Sequence, residues 1–216
     1  MAYFITGGHW TEEQEIKYIN MLGNLQISAL DGNADKIGLV DATPDDGTRI
    51  ISSAYWVGRP IKSDGIPTKL ERKPWDLKRI PLLDVETYLS GTLLVPQSFK
   101  DLMEELEPDV HQFWPMDIYV KGECVARKYW FIACNRLRTL HPTACWPPLN
   151  ERGFWDPTPD MNERQNDRRV FSTEAIGSHH AWVDKAENLC LFSDVFAERL
   201  MGLGLTGLCF RKADEA

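Results

Sequence analysis

The sequence predicts an α+β fold, a mostly antiparallel sheet with a few packed helices and no specified strand order. Three observations lead there. Short apolar runs alternate with turn residues along most of the chain. Two such runs, Thr92–Val95 and Asn188–Phe192, each lead into a stretch with apolar residues at helical spacing. A third pair, Met116–Val120 and Val125–Cys134, flanks the tight turn "KGE" and reads as an antiparallel hairpin.

Taken in order, Tyr3–Ile5 is a short strand before "TGGH". Thr11 then caps a helix through "TEEQEIKYINML", with Glu13 and Glu15 near its positive end. Residues 25–57 read as short strands broken at "DGN", "TPDDG" and "GRP". The stretch "GRPIKSDGIPTKLERKPWDLKRIP" (58–81) is basic and punctuated by proline, and reads as a long connection. The expected organisation is an N-terminal lobe with this connection over 1–81 and an α+β core over 82–216, together one compact unit.

Beyond the strand at Thr92–Val95, Ser98 is the expected cap of a helix with Phe99, Leu102, Met103 and Leu106 on its buried face, ended by Pro108. After the hairpin, His141–Asp167 is rich in Pro, Asn, Asp and aromatics and reads as a long ordered loop. Near the end, Ser193 caps a second helix with Asp194 in its first turn and Val195, Phe196, Leu200 and Leu203 as its buried stripe. "LTGLCF" (Leu205–Phe210) closes as a strand.

Composition bounds the function. A net charge of −8 opposes general nucleic-acid binding, which requires cations against phosphates, and suits a partner with a basic surface. Eight tryptophans supply either a thick aromatic core or partner-surface anchors. No apolar run reaches transmembrane length, and "MAYFITGGHW" lacks the basic start and apolar centre of a secretion signal. Five cysteines without a C-x-x-C pair suit free thiols in a reducing compartment, so a cytoplasmic location is expected.

Several patterns invite chemistry. "GLGLTG" (Gly202–Gly207) spells the dinucleotide-binding G-x-G-x-x-G, but it follows a helix and precedes a strand, the reverse of the order that motif needs. These glycines are read as a helix terminus, and no cofactor is expected. "SHHAWVD" offers His179, His180 and Asp184. Adjacent histidines point apart, however, and a metal needs at least three converging ligands, so no metal is expected either. Cys145, four residues after His141, could be a thiol nucleophile beside a base, yet it sits among apolar and aromatic residues that favour an inert thiol. An enzyme, such as a hydrolase that reverses a chemical modification, would have to use the His179/His180/Asp184 set or Cys145. The sequence contains no convincing catalytic set.

The C-terminal elements "LFSD" (Leu191–Asp194), "FAERL" (Phe196–Leu200) and "GLTGLCF" (Gly204–Phe210) carry a resemblance, as does "LLVPQSFKDLMEELEPDVHQFWPMDI" upstream. Over residues 91–210, with an echo at "GRPI", the chain resembles a bacterial immunity-protein family of polymorphic toxin systems, first catalogued as a domain of unknown function. It departs from that pattern where Pro96 replaces the usual serine after the first strand, with Ser98 nearby. The acid and serine that often precede the "HH"-like segment align only loosely with Asp167 and Ser172. The resemblance implies a cytoplasmic protein that binds a cognate toxin domain and covers its active site. The candidate partner-binding residues are Glu104, Glu105 and Asp109 on the acidic helix, with Trp155 and Asp156 in the long loop.

Overall fold

The computed structural model describes residues 2–9, 11–12, 26–45, 50–51, 53–73 and 81–216. The expected helix in "TEEQEIKYINML" lies almost wholly outside the described residues. Among those residues there are thirteen strands and three α-helices, an α+β fold. The strands are β1 (Ala2–Thr6), β2 (Gln26–Ala29), β3 (Lys69–Lys73), β4 (Glu86–Thr87), β5 (Leu93–Val95), β6 (Gln112–Val120), β7 (Glu123–Ile132), β8 (Arg136–Leu137), β9 (Val170–Phe171), β10 (Ala181–Asp184), β11 (Cys190–Ser193), β12 (Cys209–Lys212) and β13 (Asp214–Glu215). The helices are α1 (Gln97–Leu106), α2 (Thr173–Ile176) and α3 (Asp194–Gly202).

The strands form three sheets, with orders β12-β1-β11-β10-β8, β2-β3-β6-β7-β5-β4 and β13-β9. The sheets are mixed, which corrects the expectation of a mostly antiparallel sheet. β3 runs parallel to β6, β8 to β10, and β9 to β13. Parallel neighbours need a long crossover, and the chain between each pair supplies one: α1 lies between β3 and β6, the long loop between β8 and β10, and α2 and α3 between β9 and β13. The stretch 58–81 is likewise more than a connection, since it contains β3, paired on both sides.

The hairpin of β6 and β7 is the spine of the six-stranded sheet. Its turn residues Lys121 and Gly122 both have positive φ, 53° and 83°, the geometry that matches the twist of the flanking strands. Alternation buries Met116, Ile118 and Val120 on β6 and Lys128, Trp130 and Ile132 on β7. Lys128 is an unusual occupant of such a row. Its ammonium donates to the carbonyls of Leu83 and Asp84, tying the chain before β4 to the sheet. Burial pulls its pKa down to about 8 against the opposing pull of Glu86 and Asp84.

Both helices flanking the first core behave largely as the spacing requires. α1 buries Phe99, Leu102 and Met103, although its cap is Pro96, two residues before the expected cap Ser98. Proline presets the φ of a helix start, so the helix begins early and Ser98 falls within its first turn. On α3, Ser193 Oγ accepts from the Phe196 N–H at 3.2 Å, as expected of a cap. Its buried stripe is narrower than expected: Phe196, Ala197 and Leu200 are buried, whereas Val195 and Leu203 turn outward and are nearly half exposed. Nine residues pressed against α1 and β11 leave room for only one line of contact.

"GLGLTG" is indeed the end of a helix. α3 stops at Gly202, and Gly204 has φ 63°. Gly207 has a stricter reason to be glycine, because a Cβ there would collide with the Val85 carbonyl oxygen. Three buried clusters result. The first, around Phe99, Phe131, Phe192 and Phe196, joins both large sheets to α1 and α3. The second lies under β6 and β7 around Trp130, and the third around Trp182 and Phe171.

Candidate functional site

The conspicuous "SHHAWVD" segment builds no reactive centre. Asp184 is fully buried, and its carboxylate accepts four hydrogen bonds: from the Thr139 N–H (2.6 Å), the Thr139 hydroxyl (2.8 Å), the Leu140 N–H (3.1 Å) and the Ala186 N–H (2.7 Å). Trp182 Nε1 donates in turn to Thr139 Oγ1 at 3.1 Å. His180 turns elsewhere, with Nδ1 2.8 Å from the Ser193 hydroxyl, the same oxygen that caps α3. His179 approaches Glu107 at 3.4 Å. The three residues do not converge, and no group of three potential metal ligands occurs among the described residues.

Glu107 is the residue the sequence reading missed. It is buried, and its carboxylate accepts from His111 Nε2 (2.8 Å), the Ala181 N–H (2.8 Å) and Asn135 Nδ2 (2.9 Å). The Cys134 N–H donates to His111 Nδ1 at 3.1 Å, which fixes that ring as the Nε2–H tautomer. Burial alone would raise the pKa of Glu107. The hydrogen bonds from His111 and the Ala181 backbone outweigh it and bring the value down to about 2. One sequence signal did point here. An acid at the negative end of a helix, just before Pro108, is misplaced unless something else holds it.

Cys145 is similarly inert. Its sulfur lies 3.4 Å from both the N–H and the carbonyl of Val170, and burial raises its pKa. His141 Nδ1 accepts from the Thr143 and Ala144 N–H groups, closing its own turn rather than serving as a base for the thiol.

The expected partner residues divide between two places. Glu104 closes the end of α1 by accepting from the Asp109 N–H (3.1 Å), and Asp109 itself has φ 59°. Glu105 accepts from Arg199 Nη2 (2.5 Å), linking α1 to α3. Glu105 and Asp109 are exposed and Glu104 is half-buried, so the end of α1 presents an acidic face. Trp155 belongs to the third core, with its ring 4.9 Å from the Arg169 guanidinium and its buried Nε1 without a partner among the described residues. Its neighbour Asp156 is exposed and accepts from Asn150 Nδ2 (2.7 Å).

Trp155 leads to a feature built from distant parts of the chain. Arg169 is shared between the rings of Trp155 and Phe4 and pairs with Glu187 at 2.9 Å, while Arg211 stacks on Phe4 at 4.7 Å. Arg169, Arg211 and Phe4 line a cavity of about 340 Å³ in the seam between the two large sheets, walled further by Tyr55, Trp56, Leu93, Phe131 and Phe192. A smaller hollow of about 150 Å³ adjoins it and shares Trp56 and Asn188.

With this geometry in place, comparison with known families decides the class. The model of the immunity protein family Imm11 matches residues 33–215, most of the chain. The chain belongs to the Imm11 immunity protein family. No curated protein matches it. The Imm11 match extends well upstream of residues 91–210, so β3 falls within the family unit as well as the C-terminal elements, whereas β2 precedes it. An immunity protein answers a toxin, and in this member His179, His180 and Cys145 are each engaged by neighbours within the fold. No helix among the described residues is long and apolar enough to cross a membrane.

Proposed function

We propose that this Imm11 member protects its producer by binding a cognate toxin domain in the cytoplasm and covering its active site, with no reaction of its own. The match to the immunity family over residues 33–215 carries this reading. The internal use of every residue that had suggested catalysis supports it. His179 is engaged by Glu107, His180 by Ser193, Asp184 by four donors, and Cys145 by Val170.

The contact surface we propose is the acidic end of α1, with Glu104, Glu105 and Asp109, together with Trp155 and Asp156 in the long loop. A net charge of −8 favours encounter with a basic toxin surface, and exposed carboxylates steer such a partner without needing to be buried by it.

The test is stoichiometric. The toxin domain is first identified by capture on the tagged protein and then assayed as a purified enzyme against increasing amounts of immunity protein. A blocker ends the titration at one equivalent. Full protection at a small fraction of an equivalent would sink the proposal, because only turnover achieves that. On the same footing, Glu105→Lys is expected to slow association with a basic toxin by about tenfold at low salt, with a smaller difference at high salt.

A further inference from the structure

We infer that the seam cavity is a binding site for a small aromatic carboxylate. Its size falls at the lower end of small-molecule sites, and its enclosure between two sheets suits a compact ligand better than a protein surface. The walls select for a flat apolar body. Phe4, Trp56 and Phe131 bring three aromatic rings to the lining, together with the apolar side chain of Leu93.

The charge at the lining selects for an anion. Arg169 already holds a carboxylate, that of Glu187, at 2.9 Å. Arg211 has no carboxylate within 4.0 Å among the described residues; its guanidinium rests on Phe4, and its influence on Glu187 is only through space. Two guanidinium groups face one carboxylate, and Arg211, which is exposed to solvent, can exchange its water for a ligand carboxylate at the mouth of the apolar hollow. Arginine is well suited to this, because its planar fork can keep its ring contact while donating two parallel N–H groups to a carboxylate. Such a concentration of cations is unexpected on a chain of net charge −8, and it makes this recess electrostatically unlike the acidic end of α1.

The inference is independent of toxin neutralisation and is tested on the full chain without a toxin. Isothermal titration with 2-naphthoate is expected to show one saturable site. The neutral 2-naphthylmethanol, which has the same rings, should bind about tenfold more weakly. Arg211→Gln should reduce naphthoate binding about tenfold and leave the alcohol unchanged, while Arg211→Lys should recover part of the loss. Absence of saturable naphthoate binding would overturn the inference, as would equal affinity for acid and alcohol in the wild type. Indifference to both Arg211 substitutions in folded protein would also overturn it. Because acid and alcohol are compared on the unaltered protein, the result stands even if one variant fails to fold.

Discussion

The segment around Glu107 and Asp184 and the seam cavity are both built from polar and aromatic residues, yet they stand in opposite states of completion. In the first, each carboxylate is surrounded by donors from several parts of the chain, and the adjoining histidines act as props. Beside the second, next to its lining residue Arg169, Trp155 Nε1 and one oxygen of Glu187 are buried without partners among the described residues, and the exposed Arg211 rests on the Phe4 ring. A satisfied buried network rigidifies a fold and offers a ligand nothing. An incomplete one keeps donors and charge in reserve. The histidine pair and the acid that stand out in the sequence therefore belong to the scaffold, and the capacity for recognition lies among residues that look ordinary in one dimension.

The sharpest way to break this comparison is at Asp184. Replacement by alanine leaves three backbone N–H groups and the Thr139 hydroxyl without their acceptor in a fully buried site. The expected loss is about 3–5 kcal/mol of folding stability, measured by urea unfolding. A loss below about 1 kcal/mol would mean that the network is far looser than its distances indicate.

Glu107 tests the same region through pH. Its folded pKa of about 2 lies below the ordinary value of 4.5, so between them the unfolded chain binds more protons than the folded one. Its contribution is therefore complete above about pH 5 and is lost as the pH falls toward 2. The size of this term is about 3 kcal/mol, from the pKa difference. Unfolding measured at pH 6 and pH 3 should show a loss of about 2 kcal/mol of this term in the wild type, the remainder going below pH 3, and a flatter acid limb in Glu107→Gln. Equal acid sensitivity of the two proteins would remove Glu107 from its assigned role.

Much of this fold was legible because it is local. The hairpin follows from alternation around a two-residue turn, the cap of α3 from one serine, and the end of α3 from glycines placed after a helix. Sheet partners were not legible in the same way. Whether β3 lies beside β6 depends on a crossover, and nothing near Lys69–Lys73 encodes it. The site is harder still. Glu107 bonds to an N–H 74 residues away, and the cavity draws its walls from positions between Phe4 and Arg211. Periodicity reports which face of an element is buried, but not which other element buries it. Of the expected partner residues, Trp155 alone pointed toward the seam, through its stack on Arg169.

That same residue gives the smallest and most discriminating effect. Trp155 contributes its ring to the third core and to the Arg169 guanidinium, while its Nε1–H is buried without an acceptor among the described residues. Trp155→Phe keeps an aromatic face, weakens the cation–π contact and removes the unpaired donor. The first change costs about 0.5–1 kcal/mol and the second returns a similar amount, since an unpaired buried donor carries a penalty of about 1–3 kcal/mol. The net change in stability should thus lie within about 1 kcal/mol of zero, whereas Trp155→Ala, which also loses the buried ring, should cost about 3 kcal/mol or more. If Trp155→Phe were as damaging as Trp155→Ala, the indole N–H would have to be meeting a partner, and the contrast between a completed network and an open seam would fail at that point. A near-neutral Phe variant would show instead that the donor is held in reserve at the edge of the seam, where a bound carboxylate or a partner's carbonyl could take it up.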